Sequence, residues 1–372
     1  MRTTSQSVIS AVGDLALGRP VLLNHGRTGE ELTDVVLAGA LATPAWTAWA
    51  IRHTSGFLCA AMRSSHADAL GLPPMVPATS QSPKVPTFAV GVDAAVGIGT
   101  GISAADRAHT GRVLADPETR AEDLVRPGHV MPIRAAEQGV LQRRAAAEAA
   151  IDLCGSAGLV PLALTATLLD EHSGRPLRGD DTVAFAREHG ITLVTVEDIV
   201  GHLIHHGRGT LGRAARITPS GRQIRSRSTR VLDFDDELTG ARHTVMVGPL
   251  PARRVPSVYV VGECRHRDPF GPRCDCQPLF DGYRERVEST GGMLIHLRRG
   301  QSDRTAAVSD DETAQGCITA LMRYFGLEKA HVVGWPGDGV TSACRLLQLP
   351  AGPGSAPDWP PAITKNVLEQ AY

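Results

Sequence analysis

From Val8 to His206 the chain alternates between stretches with apolar residues every three to four positions and short runs of consecutive apolar residues. The first kind buries one stripe of a helix and the second buries a strand, so this region is restricted to helices layered on a sheet. Val8, Ile9, Val12 and Leu15 sit at helical spacing, Gly18-Arg19-Pro20 interrupts them, and Val21-Leu22-Leu23 reads as a strand. Thr43 followed by Pro44 is an N-cap with a first-turn proline. Gly56 to Met62 and Thr87 to Val92 read as strands, and Ser103 with Asp106 three residues on opens a helix in the manner of a capping box. Arg144 to Leu153 predicts a helix, Leu159 to Leu169 a strand, Thr182 to His189 a helix, Ile191 to Val196 a strand and Glu197 to His206 a helix. Trp46 and Trp49, three apart on one helix, are core residues.

From Gly207 to Ser228 the composition turns to Arg, Gly, Thr and Ser, as a boundary between domains does. The expected organisation is therefore a domain over 1–206, a linker over 207–228, a second domain over 229–350 and a Pro/Gly-rich tail over 351–372. In the second domain His243 to Val247, Ser257 to Val261, Met293 to Leu297 and His331 to Val333 read as strands. Leu279 to Val287 and Glu312 to Phe325 read as helices. The fold class is α/β (α+β), in two domains.

With 372 residues, 42% hydrophobic and 21% charged residues and a net charge of -1, the chain carries no basic field for nucleic acid. It has no apolar run near the roughly 18 residues of a membrane span and no leader-like start, so the expectation is a cytoplasmic protein acting on a small molecule. Seven cysteines in a chain of this length do not describe a secreted disulfide framework.

Three of those cysteines cluster, as Cys264-x9-Cys274-x-Cys276. Three thiolates with the fourth position left to water are the layout of a catalytic zinc, which lowers the pKa of its water and supplies hydroxide. A closed structural zinc completed by His266, Cys317 or Cys344 satisfies the same spacing. His202 and His206 share a helix face but have no carboxylate trio nearby, and Gly97-Ile98-Gly99-Thr100-Gly101 lacks the spacing of a dinucleotide loop.

Residues 8–200 resemble 3,4-dihydroxy-2-butanone 4-phosphate synthase. The strings that carry this are Arg52-His53-Thr54-Ser55-Gly56, Leu70-Gly71-Leu72-Pro73-Pro74-Met75-Val76, Thr100-Gly101-Ile102-Ser103-Ala104-Ala105-Asp106-Arg107 and Arg126-Pro127-Gly128-His129-Val130. Residues 210–345 resemble GTP cyclohydrolase II through Gly262-Glu263-Cys264 and Arg273-Cys274-Asp275-Cys276. The order is that of the bifunctional riboflavin-biosynthesis protein.

The resemblance implies His129 and Cys59 as catalytic residues of the synthase-like domain. Asp34, Asp106 and Arg143 are implied at substrate, and Glu30 stands where the family has a magnesium-binding glutamate. It also implies a homodimer, since the family's synthase sites lie between subunits. Departures are as specific as the matches. The family's second magnesium ligand is matched by Ala146, which coordinates nothing, and its catalytic glutamate by Thr167. In the second domain the resemblance makes Cys264, Cys274 and Cys276 zinc ligands, puts Asp311 at the general base and Thr313 at a nucleophilic arginine. Arg304 is left in an eroded phosphate-binding string, and Gly334-Trp335-Pro336-Gly337-Asp338-Gly339 replaces the string that contacts the nucleotide.

Loss of a metal ligand and of a proton-transfer group removes large factors in rate. The expectation is therefore a repurposed homologue acting on another sugar phosphate or a nucleotide- or purine-derived substrate in specialised metabolism, with ribulose 5-phosphate and GTP activities largely lost. The alternatives are a non-catalytic binding or regulatory partner of riboflavin-pathway enzymes, and a functional synthase/cyclohydrolase.

Overall fold

The computed structural model describes residues 4–26, 31–77, 80, 85–206, 217–226, 228–250, 255–263, 276–298, 310–334 and 344–348. The chain divides into two compact units, one reaching to Leu203 and the other running from Gly212, with residues 204–211 shared out between them.

In the first unit the elements run α1 (Thr4–Ala16), β1 (Val21–His25), β2 (Leu32–Ala38), α2 (Pro44–His53), β3 (Cys59–Arg63), α3 (Ser64–Ala69) and β4 (Val92–Ala94). They continue as α4 (Ala104–Ala115), β5 (Leu124–Ala135), α5 (Ala146–Ser156), β6 (Leu162–Thr167), α6 (Gly179–Glu188), β7 (Thr192–Thr195) and α7 (Val196–His206). The two predicted caps form: Thr43 accepts from the Trp46 amide and Ser103 from the Asp106 amide.

Among the described residues the strands make a seven-stranded mixed sheet in the order β4-β5-β3-β6-β2-β1-β7. Strand alternation divides its side chains between two cores. Leu58, Ala60, Met62, Leu162 and Leu164 pack with α2, α4 and α6, while Cys59, Ala61, Ile133 and Ala135 meet Ala147 and Ile151 of α5. Helices thus lie on both faces, and the α5 face carries the chemistry described below.

Two strands of this sheet escape the sequence pattern. β2 follows the polar stretch after β1 and pairs with it antiparallel. β5 contains Pro127, Gly128 and Pro132, and residues 125–127 are exposed where only β4 pairs with it; proline fits such an edge position. The run expected over Thr87 to Val92 is reduced to isolated bridges at Phe88 and Ala89 before β4 begins at Val92.

The second unit runs β8 (Ile217–Arg225), β9 (Arg230–Asp236), β10 (Arg242–Val247), β11 (Ser257–Gly262), α8 (Cys276–Thr290), β12 (Met293–Leu297), α9 (Asp310–Tyr324), β13 (Lys329–Val333) and β14 (Cys344–Gln348). Its described strands form another seven-stranded sheet, ordered β14-β13-β11-β12-β10-β9-β8. Helix α9 covers one face through Cys317, Ile318, Leu321 and Met322, and α8 the other through Tyr283 and Val287.

The interval read as a linker contains β8. Its Arg/Gly/Ser composition and Pro219 are those of an edge strand, which pairs only with β9 and shifts register between Ser220 and Gln223 around Gly221 at φ +61°.

Phe234 of β9 is fully buried, with its ring against Tyr324 and Phe325. Its replacement by alanine is expected to destabilise the second unit by about 3–5 kcal/mol. Amide exchange should accelerate across β9 to β13 and stay unchanged across β1 to β7; unchanged exchange in β9 to β13 would refute this account of the core.

Candidate active site of the first unit

Strand register builds this site. Asp34 on β2 pairs with Thr167 on β6, while Cys59 on β3 pairs with Thr165 on β6 and with Met131 on β5. Paired residues share a face, and residues two apart along a strand share it too. Asp34, Thr167, Thr165, Cys59, Met131 and His129 therefore all belong to the α5 face.

At one side of that face Thr167 Oγ1 donates to Asp34 Oδ1 at 2.8 Å, and His25 Nε2 lies 3.2 Å from Asp34 Oδ2. Burial, with the Asp34 charge added, pushes the Cys59 thiol up to about 12, so it stands as S–H and not as a thiolate nucleophile.

At the other side the Asp93 carboxylate of β4 clamps His129. Oδ1 accepts the His129 backbone N–H at 2.9 Å and Oδ2 takes the ring Nδ1–H at 2.7 Å. The Asp93 side chain is 8% exposed and that of His129 is 40% exposed. A buried carboxylate on Nδ1 fixes the tautomer and leaves the Nε2 lone pair for a ligand. Gly101, at φ +86°, lets the preceding loop approach: a Cβ there would collide with Asp93 Oδ2 and lie 2.8 Å from His129 Nδ1.

Other residues implied by the resemblance have partners within the unit. Asp106 accepts the backbone N–H groups of Gly99 and Gly101, at 3.2 and 3.0 Å. The Gly99 amide foremost holds its carboxyl below the usual carboxylate range, so Asp106 braces the glycine loop beside His129. Arg143 places Nε 2.9 Å and Nη2 2.8 Å from Oε1 of Glu148, whose side chain is wholly buried. Glu30, Cys264, Cys274 and Arg304 lie outside the described residues; Cys276 and Asp311 fall within α8 and α9, but their side chains lie outside the description too.

Sequence reasoning passed over Asp93, Gly101 and His25 as site residues. Asp93 carried one signal: it is a charge at the end of an apolar run, which a buried strand keeps only where hydrogen bonds satisfy it.

A divalent cation at the Asp34 end would need oxygen donors, carboxylates above all. Both Asp34 oxygens are engaged, Thr167 offers a neutral hydroxyl and Ala146, the first residue of α5, offers no donor atom. What the described residues establish is the loss of a donor at Ala146; Glu30, which the resemblance puts at the metal, lies outside them.

In the second unit Asp236, His243 and Cys317 form the one group of three described side chains close enough to share an ion, with candidate ligand atoms within 4.8 Å of one another. Burial disfavours the charged form of the His243 ring, while Cys317 and Asp236 favour it. Nδ1, however, accepts the Arg298 backbone N–H at 3.1 Å, which favours the neutral ring with its proton on Nε2, 3.4 Å from Asp236 Oδ2. In the ion-free structure the group acts as a hydrogen-bonded lock on the β9–β10 turn, where Asp236 also accepts the Leu238 N–H and the Thr239 hydroxyl.

Comparison with known proteins places this geometry. The family described as 3,4-dihydroxy-2-butanone 4-phosphate synthase matches residues 9–202. Riboflavin biosynthesis protein RibBA of Salinispora arenicola is 37% identical over 304 residues, 81% of this chain and 71% of that protein. The chain belongs to this riboflavin-biosynthesis synthase family. RibBA of Salinispora tropica is 38% identical over 299 residues, covering 80% and 73% of the two chains. The solved structure of RibBX from A. baumannii, a two-domain 3,4-dihydroxy-2-butanone 4-phosphate synthase, matches with a TM-score of 0.57 and 26% identity, over 89% of this chain and 94% of that one. Within the synthase family match lie all of the groups on the α5 face. Among the described residues no helix is long and apolar enough to cross a membrane.

The raised thiol sets a chemical expectation for this family member. At pH 7.5 alkylation of Cys59 by iodoacetamide, followed by peptide mass spectrometry, should run on the order of a thousandfold slower than that of a free thiol. Cys154, fully buried and likewise raised to about 12, is the internal reference; rapid labelling of Cys59 alone would contradict the thiol assignment.

Proposed function

We propose that the first unit acts on a phosphorylated ketose of the ribulose 5-phosphate kind, by proton transfer at a carbon next to the carbonyl, in the reaction class of its synthase relatives. The observation that carries this is the His129–Asp93 dyad. Its Nε2 lone pair takes the C–H proton, a double bond forms to the carbonyl carbon, and the carbonyl electron pair moves to oxygen. Asp93 holds the ring in the accepting tautomer and balances the charge that the ring gains. Cys59 contributes a neutral, buried S–H beside the Asp34 group.

The Asp34 group and His129 stand three strand spacings apart, about 14 Å, which is wider than a five-carbon sugar phosphate spans. This supports a homodimer in which groups from two copies complete each site. Zinc held by Cys264, Cys274 and Cys276 is the corresponding reading for the second unit, supported by their spacing.

A second reading has a specific observation behind it. Thr167 and Ala146 stand where the family resemblance implies a catalytic carboxylate and a metal ligand, which favours a related sugar phosphate carried through a changed reaction.

Incubation with ribulose 5-phosphate decides between them. Formate release by the wild type, reduced by about 10²–10⁴-fold in His129→Ala, is the expected result. Proton exchange at the carbon next to the carbonyl without formate would favour the second reading, and neither exchange nor formate would overturn the proposal.

A further inference from the structure

We infer that Arg107 is a catalytic residue of the first unit, whose guanidinium receives the enolate oxygen that forms when His129 takes the substrate's proton. This rests on the proposed function for the class of ligand and adds the group that meets the developing charge.

Arg107, near the start of α4, is a buried cation with 6% of its surface exposed. A guanidinium carries five N–H donors, and one withdrawn from water ordinarily has them bonded. Among the described residues the Arg107 side chain makes one hydrogen bond, from Nη1 to the Gly56 carbonyl at 2.8 Å, and Nε is a buried atom without a partner. Burial holds its pKa below the ordinary arginine value, and the Asp93 charge opposes that. Both Asp93 oxygens, however, accept from His129, one from the backbone N–H and one from the ring. A positive charge so lightly bonded is arranged for a negative one that arrives with the reaction.

Its position ties it to the reacting groups. Helical side chains lean toward the N-terminus of their helix, which takes Arg107 toward the glycine loop and Asp93. Asp106, the residue before it, holds Gly99 and Gly101, and Gly101 is pressed against Asp93 and His129. The loop that Arg107 grips crosses the end of the sheet between β6 and β5. There the Ser55 amide donates to the Thr167 carbonyl and the Met131 amide to the Leu58 carbonyl. Gly56 thus lies between Thr167 and His129. Its surroundings admit a ligand: Ser55 and Phe57 are exposed, and no atom lies within 4 Å of where a Gly56 Cβ would stand.

A phosphate monoester carries about two charges and is held by several donors, whereas one guanidinium beside the base suits the single charge that develops on a carbonyl oxygen. His129 Nε2 takes the C–H proton, the C–H electron pair becomes the carbon–carbon double bond, and the carbonyl pair moves to oxygen, where an Arg107 N–H meets it. The imidazolium and the enolate then each stand beside a counter-charge, Asp93 and Arg107.

The test uses full-length Arg107→Met, which keeps the length of the side chain and removes its charge, with Mg²⁺ supplied throughout. Exchange of the proton next to the carbonyl of ribulose 5-phosphate in deuterated water is expected to slow by about 10²–10³-fold. The dissociation constant of the sugar phosphate, by calorimetry, should change by less than about threefold, which separates this role from ground-state binding. The melting temperature should stay at or above that of the wild type, because no bonded ion pair is broken. In Arg107→Ala, added guanidinium ion should restore part of the lost rate, which it does not do for a variant that has lost only packing. Exchange in Arg107→Met within about threefold of the wild-type rate would overturn this inference, and with His129→Ala still inactive the proposed function would stand. Should Arg107→Met fail to fold, Arg107→Ala decides, and a rate that guanidinium leaves unchanged overturns the inference in the same way. No exchange by the wild type would overturn both.

Discussion

The pairing of β2, β6, β3 and β5 is the constraint on which the first unit depends. Side chains alternate across a sheet with a period of two, so a slip of one residue in any of these ladders would send Asp34, Thr167 or Cys59 to the opposite face. The register is held by packing on both sides. Leu58, Ala60 and Leu164 sit in one core while Cys59, Ala61 and Ile133 sit in the other. A slip would exchange large residues for small ones and leave the buried hydroxyl of Thr165 among apolar side chains, which is why the polar rung is stable where it is.

Buried carboxylates do the rest of the positioning. Asp93 fixes both the backbone and the ring of His129, Glu148 ties the Ala136 amide and Arg143 to the start of α5, and Asp152 accepts the Val140 amide at 2.8 Å. Each is a charge removed from water that accepts a backbone amide, joined at Asp93 by an imidazole and at Glu148 by a guanidinium. Removing the partner of such a group costs more than the group contributes in place, which gives these loops fixed shapes. The second unit uses the same device at Asp236, where an imidazole, a hydroxyl and an amide hold one turn.

Much of the fold was legible in the chain. Caps at Thr43 and Ser103, the breaks at glycine and proline, and the 3.6-residue periods place most helices within a few residues of their ends. Strands that failed to announce themselves did so for identifiable reasons. β5 carries Pro127 in the stretch that only β4 pairs and Pro132 inside its ladder with β3, and β8 reads as a linker because an edge strand is polar on both sides. Of the site, His129, Cys59 and Asp34 were legible through motifs. Asp93, Gly101 and His25 were not, because each matters only through a neighbour distant in sequence.

The amino-acid sequence by itself determined the layered α/β class, the division into two units and the side chains available for chemistry, since periodicity, caps and composition act over a few residues. Tertiary structure alone decided that Asp34 meets His25 and Thr167, that Asp93 orients His129, and that Cys59 keeps its proton. Those outcomes depend on strand register and on exclusion of water, which only the folded sheet and the helices covering it can impose.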